Sequence, residues 1–262
     1  MPTPLELLLD PVSLTLFVMY GLLMLAEALR PAKALPAVRG WHWRGLCAFF
    51  CFWLLSSYLP LIWNDSLQAH TLADLRGLGD WPGALLGLLL YQLGVYLWHR
   101  AMHASPLLWR SFHQWHHSAE RLDCYGAFWF SPLDMLGWTA LNSLTLIWLI
   151  GITPQAAVWV LYATTFFSIF QHTNIRTPRW LGYFVQRPES HSLHHQQGIH
   201  AGNYADLPLL DIVFGTFKNP RGFADRTGFY PGASARLWDM LLMRDVSGQQ
   251  IRPRAQGRIN VG

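Results

Sequence analysis

Residues 81–103 read WPGALLGLLLYQLGVYLWHRAMH. Almost every residue up to Trp98 is apolar. That run is close to the ~20 residues a helix needs to cross ~30 Å of hydrocarbon. It ends on His99 and His103, two imidazoles four residues apart. An apolar crossing segment that delivers nitrogen ligands at its polar end predicts an all-α integral membrane fold with a metal at one membrane face.

Four further apolar runs lie around it, at 11–29, 46–63, 132–150 and 154–170. The last two are separated by Gly151-Ile152-Thr153, so they read as a tight helical hairpin, with Pro154 suited to the first turn of the returning helix. Of 262 residues 52% are hydrophobic and 13% charged, against about 25% charged in a soluble domain. The formal charge of +4 is nearly all arginine, with Lys33 and Lys218 the only lysines. Scattered arginine in an apolar chain argues for membrane topology rather than for nucleic acid. The loop after the first run holds Arg30, Lys33, Arg39 and Arg44, whereas the loop after the second sets Arg76 against Asp65, Asp74 and Asp80. Positive charge favours the cytoplasm, which predicts five spans and places 99–131 and 172–262 inside as a cytoplasmic helical cap. Residues 1–10 contain Glu6 and Asp10 and no Lys or Arg, so no signal peptide is expected.

Nine histidines form four clusters: His99 and His103; His113, His116 and His117; His172; and His191, His194 and His195. On the predicted topology all face the cytoplasm. The spacings are helical, i, i+4 or i, i+3, i+4, so each cluster is expected to aim its rings at one point. Nine nitrogens suit two metals with four or five ligands each. A closed structural zinc site would leave five histidines over, H-E-x-x-H is absent, and haem takes only one or two axial histidines. Cys47, Cys51 and Cys124 form no C-x-x-C pair and read as apolar fillers. His42 and His70 stand alone and read as surface residues. His200, near the last cluster, is a tenth ligand or a partner to one.

The boxes H-x-x-x-H, H-x-x-H-H, H-x-N and H-x-x-H-H appear in that order. Their flanks are Trp98-His99-Arg100, Phe112-His113, His117-Ser118 and Pro188; downstream come Asn203-Tyr204, Asp211 and Phe214-Gly215-Thr216-Phe217. In these residues the chain resembles the fatty acid hydroxylase/sterol desaturase superfamily of integral membrane di-iron oxygenases. The resemblance covers about 91–217. It leaves 1–90 as an N-terminal membrane region and 218–262 as a cytoplasmic tail. It implies two iron ions held by the nine histidines, with zinc able to take the same positions during purification. It also implies O2 as co-substrate and hydroxylation of a lipid, whether fatty acyl, sterol or another long apolar molecule. Desaturation at the same centre is the alternative. Ser192 replaces a basic residue common in the last box, and Ala205 stands where glycine usually follows Asn-Tyr.

The sequence holds no G-x-G-x-x-G loop, cysteine cluster framework or haem domain, so electrons are expected from a separate reductase or electron carrier. Arg252, Arg254 and Arg258 near the C-terminus would attract an acidic carrier or contact anionic lipid. Asp211, Asn174, Glu189 and Asn203 are candidates to orient imidazoles, or else local caps. Arg100 and Arg187 are candidates for a lipid head group, or else snorkel. Trp98, Trp109, Trp115, Trp129 and Trp138 read as interfacial anchors or packing. A non-catalytic metal transporter is the rival class, but its ligands would line a path through the bilayer rather than one face. A bacterial inner membrane location, with the active site inside, is expected.

Overall fold

The computed structural model describes residues 1–248. Thr3 opens α1 (Pro4–Leu9) with a reciprocal capping box: Glu6 N–H donates to Thr3 Oγ1, and Thr3 N–H donates back to the Glu6 carboxylate. Asp10 then caps α2 (Pro11–Leu29), followed by α3 (Trp41–Ala69) and α4 (Asp80–Ala104). These last three are long and apolar enough to cross a membrane. Next, α5 (Pro106–Leu108), a π-helical turn (Trp109–His113) and α6 (Gln114–His117) run on as one stretch. Ser131 caps α7 (Pro132–Ser143), which continues into a π-helical segment (Leu144–Leu149); Thr153 caps the returning α8 (Pro154–His172). Three short α-helices follow, α9 (Pro188–His194), α10 (Leu209–Val213) and α11 (Leu237–Leu241), with 3-10 turns at Arg179–Tyr183 and Ala233–Ala235. Among the described residues the fold is all-helical, with one isolated β-bridge between Gln196 and Thr227.

Each apolar run of the sequence is helical, but they are not equivalent. In α2 the exposed residues include Leu14, Val18, Leu22, Leu25 and Leu29, and in α4 Leu85, Leu89, Leu93 and Leu97. Such three- and four-residue spacing makes a continuous apolar stripe on the outside, the surface a helix shows to lipid. The α7 run is divided between a 12-residue α-helix and a π-helical segment. In α8 the sequence carries Thr164, Thr165, Ser168 and Gln171.

The helices pack in a bundle, α4 on α8, α3 on α7 and α2 on α8. One core joins Tyr91 and Val95 of α4 to Leu146, Ile152, Ala156 and Val160 of the hairpin. A second joins Tyr20 and Phe49 to Phe128 and Ile169. Gly45 lets α3 approach the 124–126 turn backbone to backbone, since a Cβ there would lie 2.3 Å from Tyr125 O. Two side chains stitch the N-terminal region to the histidine-bearing loops. The Glu27 carboxylate accepts from Cys124 N (2.9 Å) and Asn174 N (2.8 Å). Asn174 also exchanges hydrogen bonds with the Lys33 backbone, at 3.2 and 2.7 Å.

The described part of the segment after Lys218 packs against the helical bundle. Phe229, Ala233, Met240 and Val246 pack with Trp109. Gln114 donates to Arg244 O (2.9 Å) and accepts from Val246 N (3.1 Å). Glu120 Oε1 accepts from Gly232 N and Ser234 N. Residues 218–248 therefore close over the second histidine box. Arg252, Arg254 and Arg258 lie outside the described residues.

Candidate metal centre

The end of α4 carries His99 and His103. His113 ends the π-helical turn, a kind of insertion frequent at functional sites. α6 supplies His116 and His117, the end of α8 His172, and α9 with its C-cap His191, His194 and His195. The structure brings all nine together in two groups whose ligand nitrogens lie within 4.8 Å of one another. One group is His99, His103, His113, His117 and His194; the other is His116, His172, His191 and His195.

This corrects the expectation that each box points at one place. In the second box, His113 and His117 join the five-histidine group and His116 the other. In the last box, His191 and His195 join the four-histidine group and His194 the other. The reason is angular. Along a helix i+4 lies about 40° from i, and i+3 about 60° away on the opposite side. The i, i+4 pair therefore shares a target while the i+3 ring points elsewhere, and both boxes lie between the two groups.

Hydrogen bonds identify the free nitrogens. His99 Nδ1 donates to Tyr204 O (2.7 Å), His194 Nδ1 to Gly202 O (2.7 Å) and His172 Nδ1 to Ser168 O (2.6 Å). His113 Nδ1 donates to the Asp134 carboxylate at 3.0 Å. A carbonyl or carboxylate only accepts, so in these four rings Nε2 keeps a bare lone pair. Yet His99 Nε2 and His113 Nε2 stand 2.9 Å apart. Two bare lone pairs at that distance repel, and no hydrogen bond can join them. A cation between them resolves the conflict. In the other group His172 Nε2 lies 3.1 Å from the Nε2 atoms of both His116 and His191, and His195 Nε2 lies 3.1 Å from His191 Nε2. Among the described residues, the buried Nε2 atoms of His103, His117 and His194 have no hydrogen-bond partner. A convergent, all-imidazole donor set fits first-row transition metals. Burial holds His113, His116, His117, His191, His194 and His195 well below the usual imidazole range, with neighbouring imidazoles adding to the effect. Burial thus favours the neutral imidazole, the form that ligates.

Among the described residues, none of the four polar side chains expected to orient the imidazoles hydrogen-bonds to one. Asp211 accepts from Tyr204 N, Ala205 N and the Thr216 hydroxyl. Asn203, at φ +54°, donates to Ser190 O and Lys218 O. Asn174 serves Lys33, and Glu189 accepts from Thr177. Asp211 and Asn203 shape the 202–204 loop whose carbonyls receive His99 and His194, so their effect on the rings is indirect. Asp134 is the carboxylate sequence reading missed. Its only signal is Ser131-Pro132, a helix start that places an acid in the first turn of α7. His200, at φ +42°, belongs to neither group; its Nδ1 lies 3.0 Å from His117 Nδ1. Arg187 is buried, pairs with Glu189 at 3.1 Å and donates to Thr177, Asn219 and Pro220, which leaves it unavailable to a lipid head group. Arg100 is exposed and donates to the Tyr96 hydroxyl. Trp109 and Trp129 are packing residues in the core.

An apolar cavity of about 610 Å³ leads to the histidines. Its wall starts near Leu7, Pro60 and Leu61, passes Phe52, Trp53, Trp138 and Leu161, and reaches His99, His113, His116, His172 and His191. Along α8 its lining runs from Ala157 to His172, about 22 Å at 1.5 Å per residue. Near the histidine end, Asp206 and Gln171 line the cavity. Burial pushes Asp206 up to about 6, against the hydrogen bonds from Gln92 and Gln171.

The family model "Fatty acid hydroxylase" matches residues 84–216, which include all nine histidines. The chain belongs to the fatty acid hydroxylase family. This family is metal-dependent, and the two histidine groups could each hold a metal ion. Among curated proteins, this fatty acid hydroxylase family member is 34% identical over 149 residues to ornithine lipid hydroxylase OlsE of Rhizobium tropici, covering 54% of this chain and 44% of that protein. It is 25% identical over 130 residues to sphingolipid C4-hydroxylase sur2 of Schizosaccharomyces pombe, covering 48% and 44%. The chain thus spans less than half the length of either relative. No solved structure matches it.

Proposed function

We propose that this protein hydroxylates a lipid at a di-iron centre held by His99, His103, His113, His117 and His194 on one side and His116, His172, His191 and His195 on the other. The observation that carries this reading is the apolar cavity whose end is walled by histidines of both groups. Iron bound there supplies O2 activation and cleavage of an unactivated C–H bond, with two electrons delivered by a separate reductase or electron carrier. The protein's own residues do the rest. Tyr204 O, Gly202 O, Ser168 O and Asp134 fix the imidazole tautomers so that Nε2 faces the metals. Phe52, Trp53, Trp138 and Leu161 align a hydrocarbon chain and exclude water. The names of both relatives, each a lipid hydroxylase, favour hydroxylation over desaturation.

The same reading sets five spans in a bacterial inner membrane. The loop with Arg30, Lys33, Arg39 and Arg44 then lies in the cytoplasm, as do both histidine groups. Lipid profiling of the host with and without this gene, paired with metal analysis of anaerobically purified protein, tests the proposal. A lipid heavier by one oxygen and two metals per chain are expected, with zinc able to replace iron. Loss of two hydrogens would identify a desaturase. An unchanged lipid profile, or one metal per chain at most, would overturn the reading.

A further inference from the structure

Gln92, Asp206 and Gln171 form a buried polar clamp at the histidine end of the cavity. Asp206 Oδ2 accepts from Gln92 Nε2 at 2.8 Å, and Oδ1 accepts from Gln171 Nε2 at 2.9 Å. Asp206 is 7% exposed, and among the described residues no cation pairs with it. Anchoring the loop does not need the carboxylate. The main chain does that through Asp206 N to Gln92 Oε1 (3.0 Å), Leu207 N to Gln92 Oε1 (3.3 Å) and Gln186 N to Asp206 O (2.7 Å). A buried carboxylate without an ion pair is costly, and two amide donors fill only about half of its four acceptor positions. Gln171 Oε1 makes no hydrogen bond with a described residue, and Gln171 and Asp206 both line the cavity. Acceptors therefore line a mainly apolar space, whose other polar side chains include Asn142, Thr165 and Ser168, within one residue of His172 on α8 and two of Tyr204, which receives His99.

We propose that Asp206, clamped by Gln92 and Gln171, is a polar subsite that binds a hydrogen-bond donor on the lipid, a hydroxyl or an amide N–H, close to the carbon that reacts. This rests on the lipid hydroxylase reading of the cavity. A plain hydrocarbon tail leaves the carboxylate's remaining positions empty. A lipid with a donor near its reactive end fills them and is held in register with the histidine groups. The subsite selects amide- or hydroxyl-bearing lipids over esters and alkanes.

The test compares two probes that differ by one methyl in place of the N–H, N-methylpalmitamide and N,N-dimethylpalmitamide, titrated by calorimetry into the full-length, metal-loaded protein in detergent. The wild type is expected to bind the secondary amide about tenfold more tightly or better, as a hydrogen bond to a charged acceptor provides. In Asp206→Asn the side-chain amide turns to Gln171 and uses its free oxygen, so the preference should fall to about twofold or less. Gln171→Leu should weaken the preference too and serves if Asp206→Asn does not fold; bound metal reports folding in both. Equal binding of both probes by the wild type would overturn the subsite and leave the cavity's role standing. So would a full preference in a folded Asp206→Asn. If metal-loaded wild type bound neither probe, the lipid reading of the cavity would fall with it.

Discussion

Asp134 and three backbone carbonyls hold four of the histidine rings, and only Ser168 O lies within one helical turn of the ring it holds. They take the Nδ1 protons and leave Nε2 for metal. Replacing Asp134 by Asn keeps the shape and removes the carboxyl group opposite His113. Metal affinity should fall about 10–100-fold in chelator competition, as for other outer partners of ligating histidines; unchanged affinity would remove Asp134 from that role. The nine histidines themselves were legible, because imidazole identity and spacing are local. Their acceptors were not, because a carbonyl oxygen is the same at every residue and only its position distinguishes it. Protonation belongs to this scale as well. Burial holds His113, His116, His117, His191, His194 and His195 below the 6.5 of a free imidazole. The opened chain takes up protons near 6.5 while the folded site does not. Their contribution to stability is therefore present above that pH and lost as pH falls towards the folded values. Melting temperature and bound metal should both drop on acidification from about pH 7.5 to about 5. A melting temperature that rose over that interval would contradict this assignment.

Helices behave as the sequence says until one must meet another. All five apolar runs are helical, and α2 spans the run read from sequence. What periodicity misplaced was direction: the i+3 histidine of each box turns away from the i, i+4 pair. The interruptions were invisible too, since nothing in Trp109–His113 or Leu144–Leu149 marks a π-helical turn. Close approach is the element-scale constraint that can be tested. Gly45→Ala puts a methyl 2.3 Å from Tyr125 O, against backbone that cannot yield. It should destabilise the protein by about 1–3 kcal/mol in a thermal or denaturant series. Gly21→Ala, in α2 with nothing within 4 Å, should be neutral or stabilise by up to about 1 kcal/mol. Equal effects of the two would show that the α3 contact is not tight.

Across the whole molecule, segments distant in the chain close one site. Glu27 ties α2 to the 124 turn and to Asn174, and residues 218–248 fold over Trp109 and the second histidine box. Truncation after Lys218 removes Phe229, Met240 and Val246 from that packing. The truncated chain should lose bound metal and expose the histidine loops to protease; full metal content would show the closure to be dispensable. The sequence alone determined the helical membrane character, the nine clustered histidines and the family, because hydropathy, spacing and imidazole chemistry are written residue by residue. Only the tertiary structure decided how nine histidines divide into five and four, which oxygens hold them, and that a cavity with Asp206 in its wall leads to them. Each of those depends on distances between segments up to about a hundred residues apart, such as His99 Nδ1 to Tyr204 O, and no local pattern encodes such a distance.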